Sequence, residues 1–319
     1  MMSLRKLLTA GMLLLATTAI AADIPTLLAE GRVDDAIQSL QTKLTAAPDD
    51  AESYNLMCRA YLALGNWDRG IPYCEKSVKL APNNSRYHLW LGRIYGEKAD
   101  RANWFTAASL AGKVRDQFEE AVKLNPDNVD ARTDLAEFYL EAPGIVGGGR
   151  DKAEAQANAL EKLDPANADW VRGRIAEKNK ELATAEKEYR AAVEVSHGSA
   201  LSWLNLALFF RNHNRLDEME DAIRHASAAQ TGHSEVLVDA AETLNRTGRN
   251  IPTAIDLLRR YLSSSSTVEA APAFKAHYLL GTLLEKQGDK QAAAREYRDA
   301  LALAKSYSAA QDALNRLNR

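Results

Sequence analysis

The amino-acid sequence predicts an all-α protein built from a repeated helical hairpin, and three observations carry this prediction. The chain has 319 residues, of which 46% are apolar and 26% charged, so it has the apolar content that a folded protein needs. Only 17 glycines and 9 prolines are present, and such sparse turn residues favour helices over a sandwich or barrel. Four prolines, Pro48, Pro82, Pro126 and Pro165, are spaced by 34, 44 and 39 residues, which indicates an array of stacked units.

The first 21 residues are predicted to be a secretory signal peptide. Arg5 and Lys6 precede an apolar stretch at 7–20, and the sequence AIA at 19–21 fits an A-x-A cleavage pattern. An uncleaved membrane anchor is the alternative, but the stretch is shorter than the roughly 20 residues that a membrane-spanning helix needs. We therefore expect a periplasmic or secreted protein, with no integral membrane segment after signal cleavage.

The charge balance excludes one class of partner. Removal of the signal peptide lowers Lys+Arg from 40 to 38 and leaves Asp+Glu at 43, so the mature chain has a formal net charge of −5. Non-specific binding to nucleic acid or to anionic lipid needs a basic surface. We expect neither nucleic acid nor an anionic membrane surface as the partner.

Near-identical phrases mark where one unit ends and the next begins. They are KLAPNN from Lys79, KLNPDN from Lys123 and KLDPAN from Lys162. The two longer spacings equal 34 residues plus insertions of ten and five. In chain order, the predicted units are a partial one at 22–50 and full ones at 51–84, 85–128, 129–165, 166–199, 200–233, 234–273 and 274–306, before a capping helix at 307–319.

The repeat pattern has small residues at the eighth, twentieth and twenty-seventh positions and large apolar residues at the fourth, seventh, eleventh and twenty-fourth; the fourth and sixth units depart from it, with Arg172 and Ala240 in place of the expected leucine. Small residues let two helices approach closely, and large ones fill the space that is left. In chain order, residues that fit this pattern are Gly31, Ala36 and Leu40; Tyr54, Tyr61 and Gly70; Leu91, Gly92 and Tyr95; Leu135, Ala136 and Tyr139; Gly173, Ala185 and Tyr189; Trp203, Ala207 and Phe210; Ala241, Leu244 and Gly248; and Leu280, Gly281 and Tyr297.

This pattern resembles the tetratricopeptide repeat, a helix–turn–helix unit of 34 residues. The resemblance covers the chain from about Ile24 to about Leu317. It implies a right-handed tetratricopeptide repeat solenoid of stacked antiparallel helix pairs with a C-terminal capping helix. The insertions are similar to those of a loosely characterised group of exported bacterial tetratricopeptide proteins with an APG…GGG segment, and this likeness brings no established activity.

The first insertion, GEKADRANWFTAASLAGK, places Trp104 and Phe105 between polar flanks. These aromatic rings either fold back on the solenoid or form a contact element, because aromatic residues are favoured anchors at interfaces.

The second insertion, at 141–155, contains Gly147, Gly148, Gly149 and Arg150. It differs from a phosphate-binding loop, because Arg150 replaces the lysine and a helix rather than a strand precedes it. Either the loop simply breaks a helix, or its backbone amides hold a carboxylate.

Two cysteines and six histidines provide the remaining candidates for chemistry. Cys58 and Cys74 lie at positions 8 and 24 of one unit, so they form either a disulfide or a pair of small core residues. His88 and His277 both lie at the fourth repeat position, where we expect packing rather than metal binding. The sequence contains no catalytic or cofactor-binding motif. We therefore predict no catalytic residue, no cofactor and no metal site.

The predicted partner-binding groove is the concave surface, which the first helices of tetratricopeptide units line with positions 2, 5, 9 and 12. The groove candidates are Arg59, Arg86, Arg93, Glu137, Trp170, Arg174, Leu204, Leu208 and Arg211. They run from basic through acidic to apolar, which suits an extended peptide or a partner helix. The alternative is that these side chains pair among themselves. The pattern of the chaperone-binding carboxylate clamp is absent, because Leu89 and Trp90 replace its Lys and Asn.

The sequence therefore predicts a non-catalytic scaffold or adaptor in the bacterial periplasm that binds a protein or peptide partner. One alternative is a module that binds a small molecule or carbohydrate near Trp104 and residues 147–149. Another is an accessory subunit of an envelope enzyme or export complex.

Overall fold

The structure is a computed structural model that describes residues 23–229 and 233–317. Within these ranges all regular secondary structure is helical, and the predicted all-α fold is confirmed. The predicted signal peptide lies outside the described residues. No described helix combines the length and the apolar character needed to cross a membrane.

Seventeen α-helices are present in the described ranges. Their bounds are α1 Ile24–Ala29, α2 Val33–Ala46, α3 Ala51–Ala63, α4 Trp67–Leu80, α5 Ser85–Ala99, α6 Trp104–Leu124, α7 Val129–Glu141, α8 Arg150–Leu160, α9 Pro165–Lys178, α10 Leu182–Val195, α11 Ala200–Asn212, α12 Leu216–Ala228, α13 Val236–Thr247, α14 Ile251–Ser263, α15 Ala273–Lys286, α16 Lys290–Leu303 and α17 Ser308–Leu317. From α3 to α16 they form seven hairpins, one for each predicted full unit. The short α1 pairs with α2, and α17 packs on the last hairpin.

The repeated KL-x-P phrases end one helix and start the next. The first ends α4 at Leu80, and the side chain of Asn84 accepts a hydrogen bond from the amide of Arg86 at the start of α5. The second phrase provides Asn128 in the same role for α7, and the third provides Asp164 for α9. Such caps satisfy backbone amides that a helix leaves unpaired, and each stabilises by about 1 kcal/mol.

The hairpins stack in two layers. The first helices of neighbouring hairpins contact one another, as α3 does α5, α7 does α9, and α11 does α13. These first helices therefore form the inner, concave layer, and the second helices form the outer one. Tyr61, Tyr189 and Tyr297 are fully buried between the helices of their own hairpins, as the large positions of the repeat predict.

The two ends of the solenoid meet. Leu27, Leu28 and Leu40 of the first hairpin share one apolar cluster with Phe274 of α15 and Ala310 of α17. We call this the end contact. It joins residues more than 200 positions apart, so the array closes into a ring.

Polar and backbone contacts support the end contact. The backbone amide of Lys305 donates to the Asp34 carboxylate over 2.6 Å. Gly31 lies so close to the start of α15 that an added Cβ would come within 2.7 Å of the backbone nitrogen of Ala273. Only a residue without a side chain fits this approach, and the positive φ of 74° at Gly31 also favours glycine.

Candidate binding cavity

The predicted groove arginines of the second and fourth units are already paired with carboxylates of the chain. Arg93 Nε donates to Asp134 over 2.6 Å, and its guanidinium lies 3.5 Å from Asp130. Arg174 donates to Glu137 over 2.7 Å and to Glu141 over 3.0 Å. At Arg93 and Arg174, the groove side chains therefore pair with one another rather than staying free for a partner.

Arg59 is bound from the far end of the chain. Its guanidinium makes a two-bond ion pair with Glu269, which lies in the connection between α14 and α15. Arg59 is only 8% exposed, so the end contact removes it from the part of the concave surface that a partner could reach. The prediction that Arg59 is an open groove residue is wrong, because closure of the ring depends on contacts far apart in sequence.

The remaining groove candidates differ in exposure. Arg86 is exposed and lies 3.8 Å from Glu52. Trp170 is half-buried between two apolar clusters, with Arg174 over its ring.

Leu204 is 2% exposed and belongs to the core, so its predicted place in the groove is wrong. The cause is that α11 packs between α9 and α13, which covers its fifth position. Leu208 and Arg211 are half-buried. Burial, and then the neighbouring Arg246, lower the pKa of Arg211.

The backbone amides of the glycine loop in the second insertion are hydrogen-bonded to carbonyl groups in the same part of the chain. The amide of Gly147 donates to Gly144, that of Gly148 to Pro143, and that of Gly149 to Tyr139. A Cβ on Gly148 would lie 1.8 Å from the Ala142 carbonyl oxygen, so only glycine fits there.

These bonds leave none of the three amides aimed at a ligand, which removes the carboxylate-holding interpretation of the loop. Arg150 pairs with Glu154 over 2.7 Å. Just before the glycines, residues 144–146 form one turn of 3-10 helix.

The two insertions instead enclose a cavity of about 910 Å³, which we call the insertion cavity. Its apolar lining includes Leu62, Ala63, Ala99, Trp104, Ala107, Ala108, Ala111, Val114, Phe118, Phe138, Ala142, Pro143, Ile145 and Val146. Trp104 is 69% exposed and Ile145 is 96% exposed, so large apolar side chains face solvent at its edge. Phe105 is equally exposed but does not line the cavity.

The cavity exists because one face of α6 carries small side chains. Ala107, Ala108 and Ala111 lie where larger residues would fill the space beside α5 and α7. The first insertion makes α6 the longest described helix, with 21 residues, and provides this face. The second insertion provides the opposite edge through Ile145 and Val146.

Charged side chains occupy the concave side of the same cavity. They are Arg93, Glu97, Asp100, Asp134, Glu137, Glu141 and Lys275. Lys275 belongs to α15 and reaches this cavity because the end contact brings the last repeat beside the first two. Burial lowers its pKa, opposed by Glu97.

Two half-buried carboxylates of this wall, Asp134 and Glu137, hold their protons more tightly than usual. Burial raises the pKa of Asp134, although Arg93 opposes the shift, and Asp130 adds to it. Burial likewise raises the pKa of Glu137 against the effect of Arg174, and the neighbouring Glu141 raises it further. A charged carboxylate therefore costs free energy at this surface.

The two cysteines are joined as a disulfide within the first full hairpin. Cys58 on α3 and Cys74 on α4 have Cα atoms 5.2 Å apart, which is within the usual span. Both are fully buried and belong to the apolar cluster that reaches under the cavity.

The histidines that share a repeat position both make polar contacts inside the chain. His88 is bonded through both ring nitrogens, to Gln117 and to the Pro82 carbonyl. His277 lies with Glu296 and Asp299 in a group whose candidate ligand atoms are all within 4.8 Å. His277 Nδ1 and Glu296 are bonded to each other over 2.7 Å, which favours a packing role.

Trp104, Arg93 and Glu137, which the sequence singled out, line the cavity, whereas Ile145, the alanine face of α6 and Lys275 were not among the sequence-predicted candidates. Ile145 and Ala108 had a local signal, since both lie in insertions between hairpins of regular length. Lys275 had none, because its place at the cavity depends on the end contact.

Comparisons with known proteins agree with the fold. Two family profiles described as tetratricopeptide repeat match residues 27–95 and 238–316. No curated protein matches this chain.

Among solved structures, yeast Tom70 aligns over 95% of this chain and 65% of its own, at 14% identity and a TM-score of 0.54. The APC/C hetero-tetramer Cut9–Hcn1 aligns over 93% of this chain and 54% of its own, at 15% identity and a TM-score of 0.41. A thermophilic TPR protein of Thermus thermophilus aligns over 67% of this chain and 92% of its own, at 18% identity and a TM-score of 0.44. This chain therefore spans less than two thirds of the length of Tom70 and of Cut9–Hcn1. At 14% identity, the likeness to Tom70 shows the fold alone.

Proposed function

We propose that this chain of tetratricopeptide repeats is a non-catalytic scaffold that holds a protein partner in the insertion cavity. The tetratricopeptide repeat family is supported by matches near both ends, and proteins of this fold generally mediate protein–protein interactions. The observation that carries the proposal is the cavity itself, a recess of about 910 Å³ with exposed Trp104 and Ile145 at its edge.

The open apolar surface supports binding rather than packing. An exposed aromatic beside an apolar recess, rimmed by charge, is the arrangement found where partners dock. On the concave side of the cavity, Arg93 and Arg174 are neutralised by the chain's own carboxylates. A partner therefore gains most where apolar surface is still exposed to water.

Photo-cross-linking in cells tests the proposal. A photoreactive residue in place of Ile145 should cross-link to one recurring protein, which mass spectrometry then identifies. The same residue in place of Val195, an exposed apolar residue at the end of α10 that does not line the cavity, should not. The identified protein, once purified, should bind the native chain and lose at least about tenfold in affinity to an Ala111→Trp variant that fills the cavity.

Two results would contradict the proposal. One is a partner that cross-links equally from both positions, which would place the contact elsewhere. The other is an identified partner whose affinity Ala111→Trp leaves unchanged although the variant keeps its helical circular dichroism.

A second candidate function is binding of a small molecule, because about 910 Å³ lies within the range of ligand pockets. It predicts a saturable rise in melting temperature with a small molecule, abolished by Ala111→Trp.

An accessory subunit of an envelope enzyme or export complex would instead co-purify stably with that enzyme or complex.

Export to the periplasm is part of the proposal. The signal-like residues 1–21 support it, and so does the disulfide, because disulfides persist in oxidising compartments. N-terminal sequencing of the protein from fractionated cells should start at Ala22. A periplasmic fraction without the protein, or a retained Met1, would contradict this part.

A further inference from the structure

We propose that the insertion cavity accepts an amphipathic helix that carries Lys or Arg beside its apolar face. This inference rests on the proposed function and names the chemistry of its partner. Two features of the cavity carry it, the shape of its apolar floor and the sign of the charge around it.

The floor suits a helix. One helical turn of about 10 Å diameter and 5.4 Å pitch occupies about 420 Å³, so the recess has room for about two turns. Ala107, Ala108 and Ala111 give the floor a shallow surface on which a second helix can approach α6 closely. Trp104 and Ile145 border it with large apolar groups, which can cover the sides of the bound helix. A helix places apolar residues at i, i+3, i+4 and i+7 into such a groove.

The charge around the floor is unbalanced. Five carboxylates and two cations line the cavity. Arg93 is shared between Asp130 and Asp134, so one arginine faces two acids. Arg174 and Lys178, which lie outside the lining, pair with Glu137 and Glu141.

Glu97 and Asp100 form no ion pair within the described part of the chain, although Lys275 lies near enough to Glu97 for their charges to interact. Both carboxylates are exposed on the last turn of α5, at the concave edge of the cavity. A ligand with Lys or Arg beside its apolar face would give them partners.

Two half-buried carboxylates of the same wall, Asp134 and Glu137, also favour a ligand with positive charge. The pKa of Asp134 and that of Glu137 are raised by burial and by other carboxylates nearby. A cation placed on this wall would relieve that cost, whereas an acidic ligand would increase it.

The test uses the whole purified protein and two labelled synthetic peptides of about 14 residues. Both carry leucine at the same helical positions, and their polar positions are all Lys in one and all Glu in the other. Fluorescence anisotropy should show the Lys peptide binding at least about tenfold more tightly than the Glu peptide, with the preference shrinking as salt rises.

Two double variants distinguish attraction of the Lys peptide to the cavity carboxylates from attraction to the overall negative charge of the protein. Glu97→Gln with Asp100→Asn should weaken the Lys peptide about fivefold. The control, Asp256→Asn with Asp312→Asn, removes the same charge at exposed positions away from the cavity and should change its affinity less than about twofold. Equal losses in both double variants would overturn the inference, since the attraction would then be non-specific.

The apolar contribution is tested separately. Ala111→Trp should abolish binding of the Lys peptide, and Trp104→Ala should weaken it far more than Val195→Ala, at an exposed apolar position outside the cavity, does. If peptides bind in a Trp104-dependent way but show no preference for Lys, this inference fails and the proposed function stands. If neither peptide binds, or if binding ignores both Ala111→Trp and Trp104→Ala, the inference is overturned along with docking of a helix in this cavity.

Discussion

The concave surfaces of the first and second full repeats both carry an arginine beside Trp90, but only the first is covered by another part of the chain. Trp90 lies between them, with the guanidinium of Arg59 4.8 Å from its ring centre and that of Arg93 4.9 Å from it. Arg59 is buried under Glu269, which the chain itself provides from the far end. Arg93 pairs with Asp134 and stays partly exposed, beside a cavity that no described residue fills.

The segment that covers the first surface is held rigidly. The Tyr261 hydroxyl donates to the Ala271 carbonyl and accepts a hydrogen bond from the amide of Val268, so the connection between α14 and α15 has a fixed path. Glu269 therefore reaches Arg59 with little loss of conformational freedom. The difference teaches that the ring has covered one part of its concave surface with its own chain and left the other partly exposed beside the cavity.

The largest expected effect comes from removing the apolar centre of the end contact, on which the difference between the two surfaces depends. Phe274 is fully buried among residues of the first hairpin and the C-terminal helices, so Phe274→Ala should lower the free energy of unfolding by about 3–5 kcal/mol. Phe105→Ala, at an exposed position, should change it by less than about 0.5 kcal/mol. Urea unfolding followed by circular dichroism gives both values, and a small loss for Phe274→Ala would mean that the ring is open in solution.

The second test breaks the ion pair across the end contact. Glu269→Gln leaves the buried Arg59 without its counter-charge, which should cost about 2–4 kcal/mol of unfolding free energy. The control is Glu154→Gln, which breaks an exposed pair with Arg150 and should cost about 0.3–0.5 kcal/mol. Similar costs for the two variants would show that Arg59 is solvated and the first surface is accessible.

These tests bear on what the sequence could reveal. Spacing and small residues predicted the hairpins, because the contacts within a hairpin are local and each unit repeats them. Cys58 and Cys74 lie on facing helices of one hairpin, and their pairing was open as an alternative for the same reason. Local pattern could also place Trp104 in an insertion.

The end contact could not be predicted in this way. It depends on the small rotation between successive hairpins, which sums over the whole array and is not written in any one unit. Arg59 and Lys275 show the consequence, since closure buries the first and brings the second to the cavity. Leu204 shows a lesser case, where a fixed repeat position was assigned to the groove although neighbouring helices cover it.

The disulfide sharpens the comparison, because it strengthens the hairpin that carries the covered surface. It closes a short loop, with the two cysteines separated by 16 residues, so reduction should lower the free energy of unfolding by about 2–3 kcal/mol. Urea unfolding with and without a thiol reductant measures the loss. A Cys58→Ala and Cys74→Ala double variant is the control, since its stability should not respond to the reductant. An unchanged midpoint for the reduced native chain would contradict the prediction.

The smallest expected effect concerns Asp239 on the inner-layer helix α13, whose side chain is exposed and makes no ion pair within the described residues. Burial, and then Glu242 and Glu235, raise its pKa from 3.8 to about 6. The folded chain thus binds this proton more tightly than the unfolded chain, so the contribution of Asp239 to stability falls as pH rises from about 4 to about 6. Above that range the charged carboxylate is destabilising.

Asp239→Asn should therefore melt at a higher temperature than the native chain at about pH 7.5, and the difference in melting temperature should close near pH 4. Asp256→Asn on the outer-layer helix α14 is the control, and its effect should not follow this pH range. A gap for Asp239→Asn that stays constant with pH would show that the concave side is solvated as freely as the outer surface, and the contrast between covered and open regions would then rest on the end contact alone.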